Sequence, residues 1–328
     1  MATGNVEDDD NELTGHGRRG AEPHAKEEPG GRRAGAAEPP RGAALWLAGA
    51  RPRTLPASVS PVLVGTAVAA ADGTVVGWRA LAAMVVALAL QVGTNYANDY
   101  SDGRRGADAQ RVGPPRLTAS GLVAPAKVLR AAGIAFAVAA VAGLFLAIAV
   151  DLRLLLVGVA CIAAGALYTG GPRPYGYTGF GELAVLVFFG FVATAGSAYV
   201  QLEQLTGLAV LASVPVGLLA CALLVVNNLR DVDTDAAAGK ITLAVRLGAA
   251  RTRLLYQACV VLALIGVLAL GLVRAPALIA LAAVPLATKP VRLVAGRRDA
   301  PGLIAALVAT ARLQLATCAL LAAGLAVS

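Results

Sequence analysis

The chain is poor in charged, aromatic, histidine and cysteine residues. Of its 328 residues, 15% are charged, 5% are aromatic and 57% are hydrophobic, and the mean hydropathy is +0.69. Soluble domains carry about 25% charged residues. The composition therefore excludes an ordinary soluble protein and predicts an integral membrane protein. The 37 glycines would allow its helices to approach one another closely.

The shortage of histidine and cysteine limits the chemistry. His16 and His24, the only histidines, lie in the polar N-terminal segment. This excludes a histidine relay or a zinc site in the membrane part, so any metal there needs oxygen ligands, which favours Mg²⁺ or a similar hard cation. The cysteines lie in apolar runs without CxxC spacing, and we interpret them as reduced core residues. They are Cys161, Cys221, Cys259 and Cys318.

Residues 1–42 differ sharply in composition from the rest. They are rich in Gly, Glu, Asp, Arg and Pro, which predicts a disordered tail. No apolar run follows the first charges, so the segment does not resemble a signal peptide. Residues 43–328 are predicted to form the membrane-embedded domain. It would begin with a short interfacial helix, "RGAALWLAGARPRT", anchored by Trp46.

The membrane part contains nine apolar segments, which predicts an all-α fold with nine transmembrane helices. Each is long enough for a hydrocarbon core of roughly 30 Å. The predicted spans are 54–72, 78–98, 127–149, 152–169, 181–202, 206–229, 251–273, 275–293 and 302–327.

The basic residues predict the orientation of these spans. With the N-terminus in the cytoplasm, 24 Lys and Arg residues fall on the cytoplasmic side and 3 on the other. This positive-inside bias explains the net charge of +8 without a nucleic-acid partner, and we predict a multi-pass protein of the cell membrane. Arg312 falls within the last span. Because charge is costly there, we expect it to face the bundle interior, with snorkelling as the alternative.

Two acidic loops end apolar runs on the predicted cytoplasmic side. They are "NYANDYSDG" at 95–103 and "NNLRDVDTD" at 227–235. In each, an asparagine precedes an aspartate by four residues, which places the pair on one helical face. The chain therefore resembles two similar halves, spans 1–4 and 5–8, with span 9 appended.

Matched acidic clusters are better explained by a shared cation than as solvated helix ends. An EF-hand is excluded for "DVDTDAAAGKIT", because Ala236 and Thr242 replace the required Gly and Glu. Divalent metals between the clusters would keep positions open for phosphate oxygens, and nearby bases suit the remaining phosphate charge. A diphosphate site that opens to lipid favours a polyprenyl diphosphate substrate. The bases are Arg104, Arg105, Arg111, Arg116, Arg230 and Lys240.

The two loops, "NYANDYSDGRRGAD…RVGPPR" and "NNLRDVDTDAAAGKITLAVRLG", resemble the signature loops of the UbiA superfamily of intramembrane prenyltransferases. With "RPRTLPASVSPVLVG" and "LYTGGPRPYGYTGFGE", they are most similar to the branch that acts on 1,4-dihydroxy-2-naphthoate in menaquinone synthesis. The resemblance spans about residues 45 to 325. It implies a nine-helix bundle around a central cavity that opens laterally, and Mg²⁺-dependent transfer of a polyprenyl group with decarboxylation, giving demethylmenaquinol.

The resemblance also implies site residues. Asn95, Asp99 and Asp102 match the first metal-binding motif, and Asp231 and Asp235 match the second. Many relatives place the third acid of the first motif one position later, where this chain has Gly; naphthoate-type members commonly show the tighter spacing. Asp108 matches a downstream "GxD" element whose role is open.

The remaining site predictions concern catalysis and the diphosphate. Tyr168 is expected to reach the diphosphate or to face the allylic cation, with an interfacial tyrosine as the alternative. The predicted diphosphate-binding residues are Arg111, Arg116, Lys240, Asn228 and Arg230; the predicted catalytic residues are Asp99, Asp231, Tyr168 and Lys240. For Arg116 and Lys240, a role as positive-inside anchors stays open.

Two other functions are open at this point. A UbiA-type enzyme that uses 4-hydroxybenzoate or homogentisate would have similar loops. A cation-coupled transporter belongs to another class, with inverted repeats and acids within its spans. Here the acids lie at helix ends and both halves start from the same side, which disfavours a transporter. Prenyl chain length and oligomeric state are open.

Overall fold

The computed structural model describes residues 41–73, 75–107 and 116–328, which fall within one compact unit. The predicted disordered tail lies almost wholly outside these residues. All regular secondary structure in the described part is helical. Its helices are α1 (Ala43–Ala50), α2 (Pro56–Ala71), α3 (Gly77–Arg105), α4 (Pro125–Ala149), α5 (Leu154–Leu167), α6 (Gly181–Leu202), α7 (Gly207–Arg230), α8 (Val232–Ala237), α9 (Leu243–Val273), α10 (Ala275–Gly296) and α11 (Ala300–Ala326).

Most of these helices could cross a membrane. Among the described residues, seven are long and apolar enough to do so, and the count is eight if the bent pair Ala43–Thr54 and Pro56–Ala71 forms one span. Leu154–Leu167, the remaining predicted span, is apolar but has 14 residues. The chain is therefore an all-helical, multi-pass membrane protein, with seven or eight long spans among its described residues where the sequence predicted nine.

α7 forms the centre of the bundle, and small residues allow the close packing around it. The Cα atoms of Gly190 in α6 and Gly217 in α7 lie so close that a Cβ at Gly217 would sit 2.8 Å from the Gly190 Cα. Without a hydrophobic driving force between helices in lipid, such close van der Waals contact is what holds them together. Around Gly190, residues Leu186–Ala195 form a π-helical stretch of α6.

The first and last long helices of the bundle contact each other, whereas α5 contacts fewer neighbours. α11 packs along α2, which joins the end of the bundle to its beginning. α5 instead packs on α3 and α4, and none of its residues is buried.

The placement of Arg312 differs from the prediction. Its side chain is exposed on the outer surface of α11, and it does not face the bundle interior. The inner face of this helix is instead occupied by Thr310, Gln314 and Thr317, all fully buried. A residue two positions from Thr310 or Gln314 is rotated by about 200° around the helix, which turns Arg312 outwards.

Candidate active site

A cavity of about 330 Å³ lies between the two halves of the bundle, lined mainly by α2, α3, α4, α5, α6 and α7. Along α3 its lining extends from Asp102 to Ala83, which is about 28 Å of helix. The end near Asp102 is polar and is called the cavity mouth. The remainder, called the shaft, ends among apolar side chains such as Val62, Leu146 and Val200. The shape is suited to a ligand with a charged head and a long apolar tail.

The end of α3 presents one asparagine–aspartate pair to this cavity. Asn98 and Asp102, four residues apart and therefore on one helical face, both line it. Thr169 donates a hydrogen bond of 2.8 Å to Asn98 Oδ1. Asn95 also lines the cavity, but its Nδ2 donates to the Ala50 carbonyl at 2.9 Å. Asn98, which the sequence pattern did not single out, thus lines the cavity together with Asn95.

Asp99 is placed differently from the sequence prediction. Its side chain is buried and is absent from the cavity lining. Its Oδ2 accepts the backbone N–H of Leu117 at 2.9 Å, and its Oδ1 accepts that of Thr118 at 2.8 Å. Both oxygens therefore hold the loop that follows Arg116. One helical step of about 100° separates Asp99 from Asn98 and turns its carboxylate away from the cavity.

The second acidic cluster lies at the end of α7 and in α8. Asp231 and Asp235 both line the cavity and are buried. Arg230 binds Asp231 with both ends of its fork, with Nε to Oδ1 at 2.7 Å and Nη2 to Oδ2 at 2.6 Å. Arg230 itself is absent from the cavity lining, so the geometry assigns it to Asp231 and not to a diphosphate.

Lys240 joins the two clusters. Its Nζ lies 3.8 Å from Asp102 Oδ2 and 3.6 Å from Asp235 Oδ1. The two carboxylates, which come from different halves of the chain, would repel each other without this ammonium. The two acidic loops therefore come together as predicted, and the positive charge between them is the ammonium group of Lys240.

Tyr177 completes this cluster and was missed by the sequence analysis. Its hydroxyl donates to Asp102 Oδ1 at 2.9 Å, and Lys240 Nζ lies 5.3 Å from its ring centroid. Burial, followed by the charge of Asp102, raises the pKa of Tyr177 above its ordinary value, so the hydroxyl stays protonated as a donor. The quoted stretch "PYGYTGFGE" contains this tyrosine, but no spacing rule linked it to an aspartate 75 residues earlier.

The other predicted residues either line the cavity or lie outside the described residues. Arg116, Tyr168 and Asn228 line the cavity, as does Arg51, which the sequence analysis did not single out. The Tyr168 ring meets Tyr175 edge to face, with centroids 5.4 Å apart. Arg111 and Asp108 lie outside the described residues.

The donor set is compatible with Mg²⁺. Within the described residues, no group of three or more Asp, Glu, His or Cys side chains lies close enough to hold a metal ion by itself. However, the cavity mouth carries carboxylate and amide oxygens, the ligands that Mg²⁺ prefers, and Asp102 and Asp235 already flank a cation. Because Mg²⁺ commonly takes few protein ligands and completes its shell with phosphate oxygens, this arrangement fits the metal.

The chain belongs to the UbiA prenyltransferase family, whose sequence profile matches residues 58–310. It is similar to the 1,4-dihydroxy-2-naphthoate octaprenyltransferase of Mycobacterium tuberculosis, with 52% identity over 261 residues, 78% of this chain and 89% of the relative. The Escherichia coli enzyme of the same name is 40% identical over 232 residues, 69% of this chain and 75% of the relative. The resemblance seen in the sequence is thereby confirmed.

Solved structures show the same fold. A UbiA homolog from Aeropyrum pernix K1 superposes with a TM-score of 0.60 at 16% identity, covering 83% of this chain and 97% of the homolog. A UbiA homolog from Archaeoglobus fulgidus, solved bound to GPP and Mg²⁺, gives a TM-score of 0.59 at 14% identity, with 84% and 99% covered.

Proposed function

We propose that this protein transfers a polyprenyl group from polyprenyl diphosphate to 1,4-dihydroxy-2-naphthoate, releasing diphosphate and carbon dioxide and forming demethylmenaquinol. The observation that carries the proposal is the cavity, with an acidic and basic mouth and an apolar shaft along α3. The acceptor follows from the names of relatives that are 40% and 52% identical.

Four residues are proposed to hold the metal, namely Asn98, Asp102, Asp231 and Asp235, because they line the cavity mouth together. Bound there, Mg²⁺ would stabilise the charge that develops on the departing diphosphate. Arg116 and Lys240 are proposed to bind the phosphate oxygens. Asp99 is proposed to act indirectly, since its carboxylate holds the loop behind Arg116.

The reaction needs an allylic cation that survives until the ring attacks it. As the C–O bond to diphosphate breaks, the bonding electrons leave with the diphosphate. The ring carbon that bears the carboxylate then forms the new C–C bond, and loss of carbon dioxide returns its electrons to the ring. Tyr168 lines the cavity, where its ring can face the cation, and the apolar shaft excludes water that would quench it.

The finer topology is part of the same proposal. We propose nine spans, with Leu154–Leu167 as a short one, and both acidic clusters at the cytoplasmic face of the cell membrane. The excess of Lys and Arg on that side supports this orientation.

A competition assay tests the function. The purified protein in liposomes receives Mg²⁺, a long polyprenyl diphosphate, and equal amounts of 1,4-dihydroxy-2-naphthoate and 4-hydroxybenzoate. We expect mass spectrometry to detect a prenylated naphthol without its carboxylate. Prenylated 4-hydroxybenzoate as the main product would contradict the proposed acceptor. Transport of either substrate without product would contradict the enzyme class.

Gly158 offers a test of the shaft as the site of the prenyl tail. It lines the cavity, and a Cβ built on it has no atom within 4 Å. Gly158→Phe should place a phenyl ring in the shaft. Overpacking between this ring and a long prenyl tail should cost about 1–3 kcal/mol of binding free energy. We therefore expect turnover of a long polyprenyl diphosphate to fall about 10-fold or more, while geranyl diphosphate is used nearly as before.

The matched control for this change is Gly133→Phe. Gly133 lies within α4, is exposed on the outer surface, and also has no atom within 4 Å of a built Cβ. This variant should process both substrates like the wild type. Equal losses for long and short substrates in Gly158→Phe would show that the tail does not occupy the shaft.

A further inference from the structure

Glu182 is a buried carboxylate one layer behind the cavity wall. It lies in the first turn of α6 and is 9% exposed. Its Oε1 accepts a hydrogen bond of 3.0 Å from Asn228 Nδ2, whereas its Oε2 is buried without a hydrogen-bond partner within the part of the chain that the structure describes. Glu182 does not line the cavity, but Asn228 does.

A carboxylate in this position determines how the Asn228 amide is turned. An ionised carboxylate only accepts hydrogen bonds, whereas an asparagine side chain has one end that donates and one that accepts. The NH₂ end of Asn228 is therefore held towards Glu182. Its carbonyl oxygen, Oδ1, is the end left for the cavity.

An acceptor oxygen at this place is unsuited to an anion. Asn228 was predicted to bind the diphosphate, which needs N–H donors, but one of the two N–H groups of its amide is bonded to Glu182, and this bond turns the amino end towards Glu182. A carbonyl oxygen can instead accept a hydrogen bond from an O–H group or bind a cation. Tyr168 lies close by: its hydroxyl would be 3.1 Å from a Cβ at Gly181, the residue before Glu182. Tyr168 thus adds an aromatic surface to this part of the wall.

We propose that Glu182 is a positioning residue that turns Asn228 so that Oδ1 accepts a hydrogen bond from a hydroxyl group of the aromatic acceptor. Tyr168 forms the wall beside that ring. Accepting this hydrogen bond draws the proton away from the phenolic oxygen and raises the electron density of the ring, which favours attack on the allylic cation. The inference rests on the proposed function and deepens it, because it gives the acceptor a subsite separate from that of the diphosphate.

An exchange of the two side chains tests this inference. Asn228→Asp alone places two carboxylates against each other, so the new side chain should turn away from Glu182 and lose the hydrogen bond to the acceptor hydroxyl. The KM for the acceptor should therefore rise about 2- to 10-fold, the range for a lost hydrogen bond between neutral groups. In the double variant Glu182→Gln/Asn228→Asp, position 182 becomes the donor and position 228 keeps an oxygen towards the cavity. The total charge of the pair is unchanged, and we expect the acceptor KM to return close to the wild-type value.

The KM for polyprenyl diphosphate separates this role from a structural one. In all variants this KM should stay within about 2-fold of the wild-type value, a change of less than 0.5 kcal/mol in binding free energy. The reason is that, in this proposal, the diphosphate does not bind Asn228. If the double variant folds but does not recover the acceptor KM, the inference is wrong. If the diphosphate KM changes in place of the acceptor KM, Asn228 is a diphosphate donor and the inference is wrong as well.

A second variant covers the case in which the double variant does not fold. Glu182→Met removes the carboxylate at similar size and leaves Asn228 free to turn, so the acceptor KM should rise while the melting temperature in detergent shows a folded protein. An unchanged acceptor KM in this variant would overturn the inference. Failure of the wild-type protein to prenylate any aromatic acceptor would instead refute the proposed function.

Discussion

Asp102→Ala and Asp231→Ala are each expected to lower turnover at least about 100-fold, the scale on which loss of a group that stabilises transition-state charge acts. Both residues line the cavity mouth and are buried, and each belongs to one of the two acidic clusters. Without either one, the metal would lose a ligand and the departing diphosphate its stabilisation. The measurement is single-turnover product formation at saturating Mg²⁺ and both substrates.

The control variant changes Asp233, which lies in the same helix as Asp235 of the second cluster. Asp233 is in α8 between Asp231 and Asp235, but it is exposed and does not line the cavity. Asp233→Ala should therefore keep near wild-type turnover, although it removes an equal charge from the same loop. Equal activity in Asp231→Ala and Asp233→Ala would remove the second cluster from the proposed metal site.

Arg230→Met is expected to destabilise the folded protein by about 3–5 kcal/mol, because it leaves the buried Asp231 carboxylate without its principal counter-ion. The Arg230 and Asp231 side chains are 5% and 8% exposed, and the guanidinium contacts both carboxylate oxygens. Arg230 also donates to Asn227 Oδ1 at 3.0 Å, so its loss loosens the turn between α7 and α8. Thermal unfolding in detergent measures this change.

Two further variants distinguish the ion pair from general loss of packing. Arg104 is exposed and stacks on Tyr100 at 5.8 Å, so Arg104→Met should change the free energy of unfolding by less than about 0.5 kcal/mol. Arg230→Met/Asp231→Leu removes both charges, and such replacements are often neutral or stabilising. Recovery of stability without recovery of turnover is expected. A double variant as unstable as Arg230→Met would contradict the ion-pair explanation.

The membrane class and most of the spans could be predicted from the sequence because they depend on local composition. An apolar run of about 20 residues must be a helix in lipid, since each backbone group has to be satisfied within its own segment. α4, α6 and α7 therefore appear within two residues of their predicted bounds, whereas α3 continues to Arg105, seven residues beyond its predicted end. α5 is the exception: it has 14 residues, because "YTGGPRPYG" ends it near Tyr168 and the turn at Asp151 delays its start.

The candidate site, too, could be predicted from the sequence only in part. The sequence pattern predicts two acidic helix ends on the same side of the bundle. In the structure, Asp102 and Asp235 do come together around Lys240. The sequence pattern did not decide which residue of α3 faces the cavity. Asn95, Asn98, Asp99 and Asp102 all fall within an arc of about 100° on the helix, so the pattern of polar residues does not separate them.

The sequence by itself thus determined that this is a helical membrane protein with paired acidic loops, because length, apolarity and charge act along the chain. The tertiary structure decided what each polar side chain does, because its partner comes from a distant segment. Thr118 engages Asp99, Tyr177 engages Asp102, and Glu182 engages Asn228. A buried polar group must find its hydrogen bonds wherever packing supplies them, and only the folded chain shows where that is.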